Sequence, residues 1–395
     1  MHLSHTMHFR QYLAHTSPFP MELEIERAEG IYLIAPDGKK YMDMISGIGV
    51  SSVGHSHPNI IQAIKNQADK YLHLMVYGEY VLSPQVMLAQ KIIQLLGAPF
   101  ESVYFANSGA EAVEGALKLA KRYTGKTEMV SCMGSYHGST HGALSVMGNE
   151  SFKQNFRPLL PGIKHIAYSN IEDFDHINKE TACVIIEPIQ AEAGVIQAPK
   201  SYFKALKSHC QTTGTLIIFD EVQTGFGRTG TMFGYEHTGI VPDIVIFAKG
   251  MGGGMPIGAF ASSKVLMDSL KTNPILGHIT TFGGHPVSCA AALATINVIT
   301  DLALHKQAQK KGELFEHALK HPKIVQFRYC GLMMAIEFKS FEVLQKIISK
   351  CLERGVVTDW FLHNDKCMRL APPLTITDDE IQEACKKILS AIDET

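Results

Sequence analysis

Four short runs of consecutive apolar residues stand out in the middle of the chain: Val103–Ala106, Cys183–Ile186, Leu216–Phe219 and Ile244–Phe247. Residues apolar at every position, rather than at every second one, predict strands buried on both faces, as in a parallel sheet. Between the runs the period changes. From Glu111 to Arg122, Val113, Ala116, Leu117 and Ala120 recur at i, i+3, i+4 and i+7, one face of a helix. Buried strands alternating with such helices predict an α/β fold with a mainly parallel sheet. The C-terminal part has another rhythm, with helical patterns over 304–319, 341–354 and 378–392 around a strand-like Met333–Glu337. That mixture predicts a smaller α+β module, with its boundary near the long apolar helix expected over 286–300. Asp37-Gly38 predicts a hairpin turn. The expected division is an N-terminal arm and hairpin (1–45), a large domain (46–295), and a small C-terminal domain (296–395) packing with the N-terminal segment.

Composition narrows the class. Of 395 residues, 36 are Lys or Arg and 38 are Asp or Glu, a formal charge of −2, which offers no basic field for nucleic acid. Only 19% are charged, below the roughly 25% of an average globular chain, which points to a well-buried core or a large subunit interface. Eight cysteines form no C-x-x-C pair and are expected as reduced thiols of a cytoplasmic protein. Histidines 2, 5, 8 and 15 share no helical face and have no carboxylate among them, so they are expected as polar surface and no metal site is predicted. No apolar run approaches the roughly 18 residues of a membrane span, and the N-terminus lacks the pattern of a secretory signal. A soluble, cytoplasmic protein is expected, with Met1 or Met7 as its start.

The residues that close each apolar run carry more information. They are Asn107-Ser108-Gly109, Glu187-Pro188, Asp220-Glu221 and, after Ala248, Lys249-Gly250. In open parallel sheets the carboxyl ends of the strands form the ligand crevice. Ser108 with Glu111 three positions on fits a capping box, and equally the start of a helix that holds a phosphate. A carboxylate at the end of an apolar strand requires a cationic partner or neutralises. One solution is a buried Asp220–Lys249 ion pair. The other is that each holds a different end of a cofactor: the amine condenses with an aldehyde and the aspartate keeps a pyridine nitrogen protonated. With a phosphate at Ser108, these are the three handles of pyridoxal 5′-phosphate.

Asp220-Glu-Val-Gln-Thr-Gly-Phe-Gly-Arg-Thr-Gly230, followed by Phe247-Ala-Lys-Gly-Met-Gly-Gly-Gly254, resembles the signature of class III (ω-amino acid) aminotransferases. The resemblance spans nearly the whole chain. It includes Gly47-Ile-Gly-Val50, Gly54-His-Ser-His-Pro58, Asn107 to Glu114, Tyr136-His-Gly138, Glu187-Pro-Ile-Gln190, Thr281-Phe-Gly-Gly284 and Arg369-Leu-Ala-Pro-Pro-Leu374. Within the family the chain is most similar to acetylornithine, ornithine and 4-aminobutyrate aminotransferases. The resemblance implies fold type I of the pyridoxal-phosphate enzymes and a cytoplasmic homodimer with active sites at the subunit interface. It implies Lys249 as the Schiff-base lysine and proton carrier, and Asp220 as the partner of the pyridinium nitrogen. Tyr136 would stack on the ring, opposite Val222, and Gln223 would bond the ring hydroxyl. Ser108, Gly109 and Ala110 would hold the phosphate, and Thr281 would reach the phosphate of the partner subunit. His137 and Glu187 would be further cofactor contacts. Ile48 would line the substrate tunnel. Arg369 would grip the α-carboxylate of glutamate or 2-oxoglutarate, and Glu192 would cover it while an ω-amine is bound; the alternative for Arg369 is a domain-tying ion pair.

One position departs from the family pattern. Where relatives read His-Gly-Arg-Thr, this chain reads His137-Gly138-Ser139-Thr140, so the arginine that holds a distal carboxylate is replaced by serine. Either another cation supplies the charge, Arg157 and Lys153 being candidates, or the amino donor lacks that carboxylate. The segment Tyr136 to Ser145 also resembles diamine aminotransferases of the putrescine type. The expected reaction moves an amino group from an ω-amino donor to 2-oxoglutarate. A diamine aminotransferase and a class III aminomutase or racemase are the alternatives, and the Glu192/Arg369 pair argues against the last.

Overall fold

The computed structural model describes residues 5–395. A seven-stranded sheet forms its centre, running in spatial order from Ser102–Ala106 through Gly258–Ser262, Ile244–Phe247, Leu216–Asp220, Thr181–Ile186 and Glu128–Cys132 to Ile163–Ile166. The five strands from Ile244–Phe247 to Ile163–Ile166 pair in parallel. All four predicted runs are strands. Three are buried at nearly every position, because helices cover both faces. Ser102–Ala106 departs from the expectation: it lies at the sheet edge, and only Ala106 is buried.

Gly258–Ser262 is antiparallel to both of its neighbours. Because it is inserted between Ile244–Phe247 and Ser102–Ala106, those two strands still run in the same direction. Their carboxyl ends therefore share one rim with those of Leu216–Asp220 and Thr181–Ile186. The helix Gly109–Thr124 leaves that rim, capped at its start by Ser108 and closed by Gly125 in the left-handed conformation at φ +70°. Its buried face holds Val113, Ala116, Leu117 and Ala120, the stripe that the spacing predicts.

The C-terminal residues build an antiparallel sheet of four strands, in order Gln326–Cys330, Met333–Glu337, Asn364–Leu370 and Asp359–Phe361. Helices Leu304–Ala318, Phe341–Glu353 and Asp378–Asp393 pack against one another and this sheet. A hairpin of Tyr32–Ile34 and Lys40–Asp43 surrounds Asp37-Gly38. Its second strand pairs in parallel with Val356–Val357, which joins the N-terminal segment to the C-terminal one. The helix Pro286–Asp301 buries residues around most of its circumference against helices Pro58–Ala68 and Ser83–Leu96. Among the described residues no single helix is long and apolar enough to cross a membrane, and all eight cysteines are unpaired and buried.

Candidate active site

The shared rim opens into a cleft of about 500 Å³, within the usual range for small-molecule sites. One end is the start of the helix Gly109–Thr124. Ser108 Oγ accepts from Glu111 N at 3.2 Å. The Glu111 carboxylate reaches one residue further back than a capping box requires, accepting from the backbone and side-chain nitrogens of Asn107 at 2.8 Å each. The amides of Gly109 and Ala110 precede the first intrahelical bond, from Ala112 N to Ser108 O at 3.1 Å. They point from the positive end of the helix dipole, a setting that favours an anion. Close packing beneath them depends on glycine. A Cβ at Gly258 would lie 2.0 Å from the Ser108 carbonyl oxygen, and one at Gly109 would lie 3.2 Å from the Val222 methyl groups.

The cleft floor holds two buried carboxylates. Asp220 Oδ2 accepts from His137 Nδ1 at 2.7 Å and Oδ1 from Val222 N at 3.0 Å. Glu187 accepts from Tyr136 N at 3.1 Å and Ala191 N at 2.9 Å. Burial, offset in part by His137, pushes the Glu187 carboxyl up to about 7. Lys249 follows the strand Ile244–Phe247 and Ala248, and its backbone sits at φ +43°. That is left-handed space, costly for a residue with a Cβ, and such strain concentrates at functional positions. Its amine makes no hydrogen bond or ion pair among the described residues, and burial lowers it to about 8. A buried Asp220–Lys249 ion pair is therefore not formed: the partner of Asp220 is His137.

Beside the cleft, Arg369 and Glu192 form a bidentate pair with both contacts at 2.8 Å, each side chain 3% exposed. Glu192 also accepts from Gln223 Nε2 at 2.9 Å and from Leu362 N at 3.0 Å. Burial opposes its charge, but Arg369 and Lys249 outweigh burial and hold its carboxyl well below the usual range. Gln223 lines the cleft, so the pair is one side chain removed from it. The pair also ties the C-terminal sheet to the turn after Thr181–Ile186.

The remaining predicted residues fall in different places. Tyr136, His137, Glu187, Val222 and Gln223 line the cleft with Ser108, Gly109, Ala110, Asp220 and Lys249. Tyr136 is half-buried, and its hydroxyl lies 3.3 Å from Ser139 Oγ at the mouth. Thr281 is exposed and outside the lining of this chain's own cleft, its carbonyl accepting from His73 at 2.8 Å. Ile48 is also outside the lining, whereas Val50 two residues on is part of it. At φ +64° Ile48 is a β-branched residue in left-handed space. Neither candidate cation replaces the missing guanidinium. Arg157 is spent on Glu150 at 2.6 Å, and Lys153 is buried beside His165 at 3.3 Å and Glu150 at 3.7 Å. Both lie outside the cleft lining.

The sequence motifs assign no role to two further buried groups. Asp359 Oδ1 lies 3.1 Å from Arg369 Nε, a second carboxylate on the same guanidinium. Arg228 is buried without a carboxylate within ion-pair distance. It donates to the carbonyls of Leu332 at 3.1 Å and Pro372 at 2.5 Å, which pins the C-terminal sheet to the rim.

The donor set suits pyridoxal 5′-phosphate. Adjacent strands lie about 4.8 Å apart, which sets Asp220 one spacing from the strand leading to Lys249 and Ser108 two spacings away on the other side. Unpaired amides for a phosphate, a free amine for an aldehyde and a fixed buried carboxylate for a ring nitrogen thus face one small volume. The model of the family described as aminotransferase class-III matches residues 12–392. The ornithine aminotransferase of Toxoplasma gondii ME49 is 29% identical, with a TM-score of 0.91 over 98% of this chain and 94% of that one. A second structure of the T. gondii enzyme, at 29% identity and a TM-score of 0.90 over 98% and 93% of the two chains, has partial occupancy of pyridoxal phosphate at its active site. A four-fold mutant of a thermostable omega transaminase from Pseudomonas jessenii is 26% identical, with a TM-score of 0.92 over 99% and 98% of the two chains. The chain belongs to the class III aminotransferases and is a pyridoxal-phosphate-dependent enzyme of fold type I.

Proposed function

We propose that the enzyme moves an amino group from an ω-amino donor to 2-oxoglutarate, giving glutamate. The supporting observation is the buried, bidentate Glu192–Arg369 pair beside Lys249. Two substrates of different ends must use one site in turn. While an ω-amine is bound, Glu192 neutralises Arg369; when a 2-oxo acid binds, its carboxylate takes the place of Glu192 on the planar fork. The cofactor, when bound, would supply an aldehyde carbon to carry the amino group between substrates and a ring to accept electrons.

The chain's own groups do the rest. Lys249 Nζ takes a proton from the substrate carbon and returns it. Asp220, held by His137, keeps a proton on the ring nitrogen. Tyr136, oriented by Glu187 through its backbone amide, and Val222 flank the ring, and Gln223 meets its hydroxyl. The amides of Gly109 and Ala110 and the Ser108 hydroxyl hold the phosphate. Thr281, exposed and outside its own chain's cleft lining, serves the phosphate of a second copy in a homodimer, and Ile48 contributes to the substrate tunnel. The unpaired buried cysteines support a cytoplasmic location.

Ser139 favours one class of donor. With Arg157 and Lys153 engaged elsewhere, the described lining residues include one lysine, Lys249, and no arginine, so a distal carboxylate on the donor has no guanidinium to meet there. A diamine of the putrescine type fits better than acetylornithine or 4-aminobutyrate. A donor panel scored by glutamate formation tests this, with the diamine expected to give the highest kcat/KM.

Arg369→Ala tests the acceptor role. Loss of a buried charge-assisted contact is worth roughly 2–5 kcal/mol, so kcat/KM for 2-oxoglutarate should fall about 100-fold while the donor half-reaction changes only a few-fold. Equal losses in both halves would leave Arg369 as a tie between sheets and nothing more. The depressed Lys249 amine predicts a pH dependence as well. An amine attacks only when neutral, so cofactor uptake by the apoenzyme should accelerate as pH rises through about 8. A rate still climbing towards the ordinary lysine range near pH 10 would contradict that environment.

A further inference from the structure

Arg369 is met by two carboxylates carried on different parts of the fold. Glu192 occupies the Nη1–Nη2 fork. Asp359 Oδ1 lies 3.1 Å from Nε, outside that fork. Asp359 sits directly across from Arg369 in the antiparallel pair of Asp359–Phe361 with Asn364–Leu370. That register is fastened by Thr358 Oγ1, which donates to the Arg369 carbonyl at 2.8 Å. The guanidinium also donates to the Trp360 carbonyl at 3.2 Å and lies 4.6 Å over the Phe361 ring. The Asp359 main chain thus belongs to the same ladder as the arginine, which sets its carboxylate beside the guanidinium. Glu192 reaches across from another part of the fold.

The main chain around Glu192 is clamped too. His363 N donates to the Glu192 carbonyl at 3.1 Å, Asn364 Nδ2 to the Ala193 carbonyl at 3.2 Å, and Arg328 Nε to the Gly194 carbonyl at 2.7 Å. Glu192 can therefore release the fork only by turning its side chain. At that moment a buried cation is stripped of one partner, a condition proteins avoid unless another charge remains.

We propose that Asp359 is a positioning residue for the acceptor: the second counter-ion, carried on the arginine's own ladder, that balances and aims the Arg369 guanidinium while Glu192 gives way to the carboxylate of the 2-oxo acid. This rests on the proposed acceptor role of Arg369. Asp359 touches neither the cleft lining nor the reacting groups, so its effect is confined to the half-reaction that opens the fork. A donor amine, which leaves Glu192 in place, is indifferent to it.

The test uses the holoenzyme and follows each half-reaction in single turnover. Asp359→Ala should lower kcat/KM for 2-oxoglutarate about tenfold, through KM, with the donor half-reaction changing less than threefold. Asp359→Asn, which keeps an oxygen against Nε without the charge, should lose about threefold, again only in the acceptor half. Equal changes in both halves, or no change in either, would overturn the proposal. If Asp359→Ala does not fold, the Asn variant decides on the same criterion. Arg369→Ala runs in parallel. If it fails to single out the acceptor half, the site reading itself is wrong; if it succeeds while the Asp359 variants do not, only the role of Asp359 falls.

Discussion

Lys249→Ala is expected to retain pyridoxal 5′-phosphate and to lose amino transfer by about 10⁴-fold, the upper range for a positioned proton carrier. Retention follows from the other contacts, since the Gly109 and Ala110 amides, the Asp220 carboxylate and the walls of Tyr136 and Val222 do not depend on the amine. Loss follows from the absence of a substitute. Lys249 is the one lysine or arginine among the described cleft-lining residues, and Lys153, outside that lining, is already beside His165 and Glu150. Cofactor absorbance after dialysis reports the first property and glutamate formation the second. A variant turning over at near wild-type rate would remove Lys249 from the chemistry.

The next largest effect is expected at Asp220. Asp220→Ala should weaken cofactor retention and slow transfer by about 10²–10³-fold, comparable to removing a preorganised electrostatic contact in other enzymes. The substitution also strips His137 Nδ1 of its acceptor in the interior, at a cost of about 1–3 kcal/mol. Asp220→Asn separates the two effects. It keeps the shape and one carbonyl oxygen, enough for His137 Nδ1 or Val222 N but not both, and it cannot hold a proton on the ring nitrogen. The Asn variant should melt closer to wild type than the Ala variant yet be as slow. An Asn variant with ordinary activity would show that the negative charge is unimportant.

What could be read from the sequence, and what could not, divides along the range of the interactions. Leu216–Phe219 and Ile244–Phe247 announce themselves because every position is apolar and the next residues, Asp220 and Lys249 after Ala248, are not. The helix Gly109–Thr124 is legible in the spacing of Val113, Ala116, Leu117 and Ala120. Gly258–Ser262 is not, since Gly-Ala-Phe-Ala-Ser carries no β-branched residue and its place is dictated by the close approach to Ser108. Val103–Ala106 has the composition of an interior strand and lies at an edge, a matter of sheet order that no local pattern contains. The partners of Asp220 and Arg369 are likewise tertiary. His137 lies 83 residues from Asp220 in sequence. Asp359, ten residues before Arg369, meets it only because a strand reversal sets the two in register.

The glycines under the helix start also set a boundary for anyone reshaping this enzyme. Gly258 and Gly109 leave no room for even one added methyl group without moving the Ser108 carbonyl or the wall at Val222. Libraries aimed at new amines should leave that floor untouched and draw their diversity from the mouth, at Ser139 and Val50, where altered bulk meets the incoming molecule instead of the scaffold.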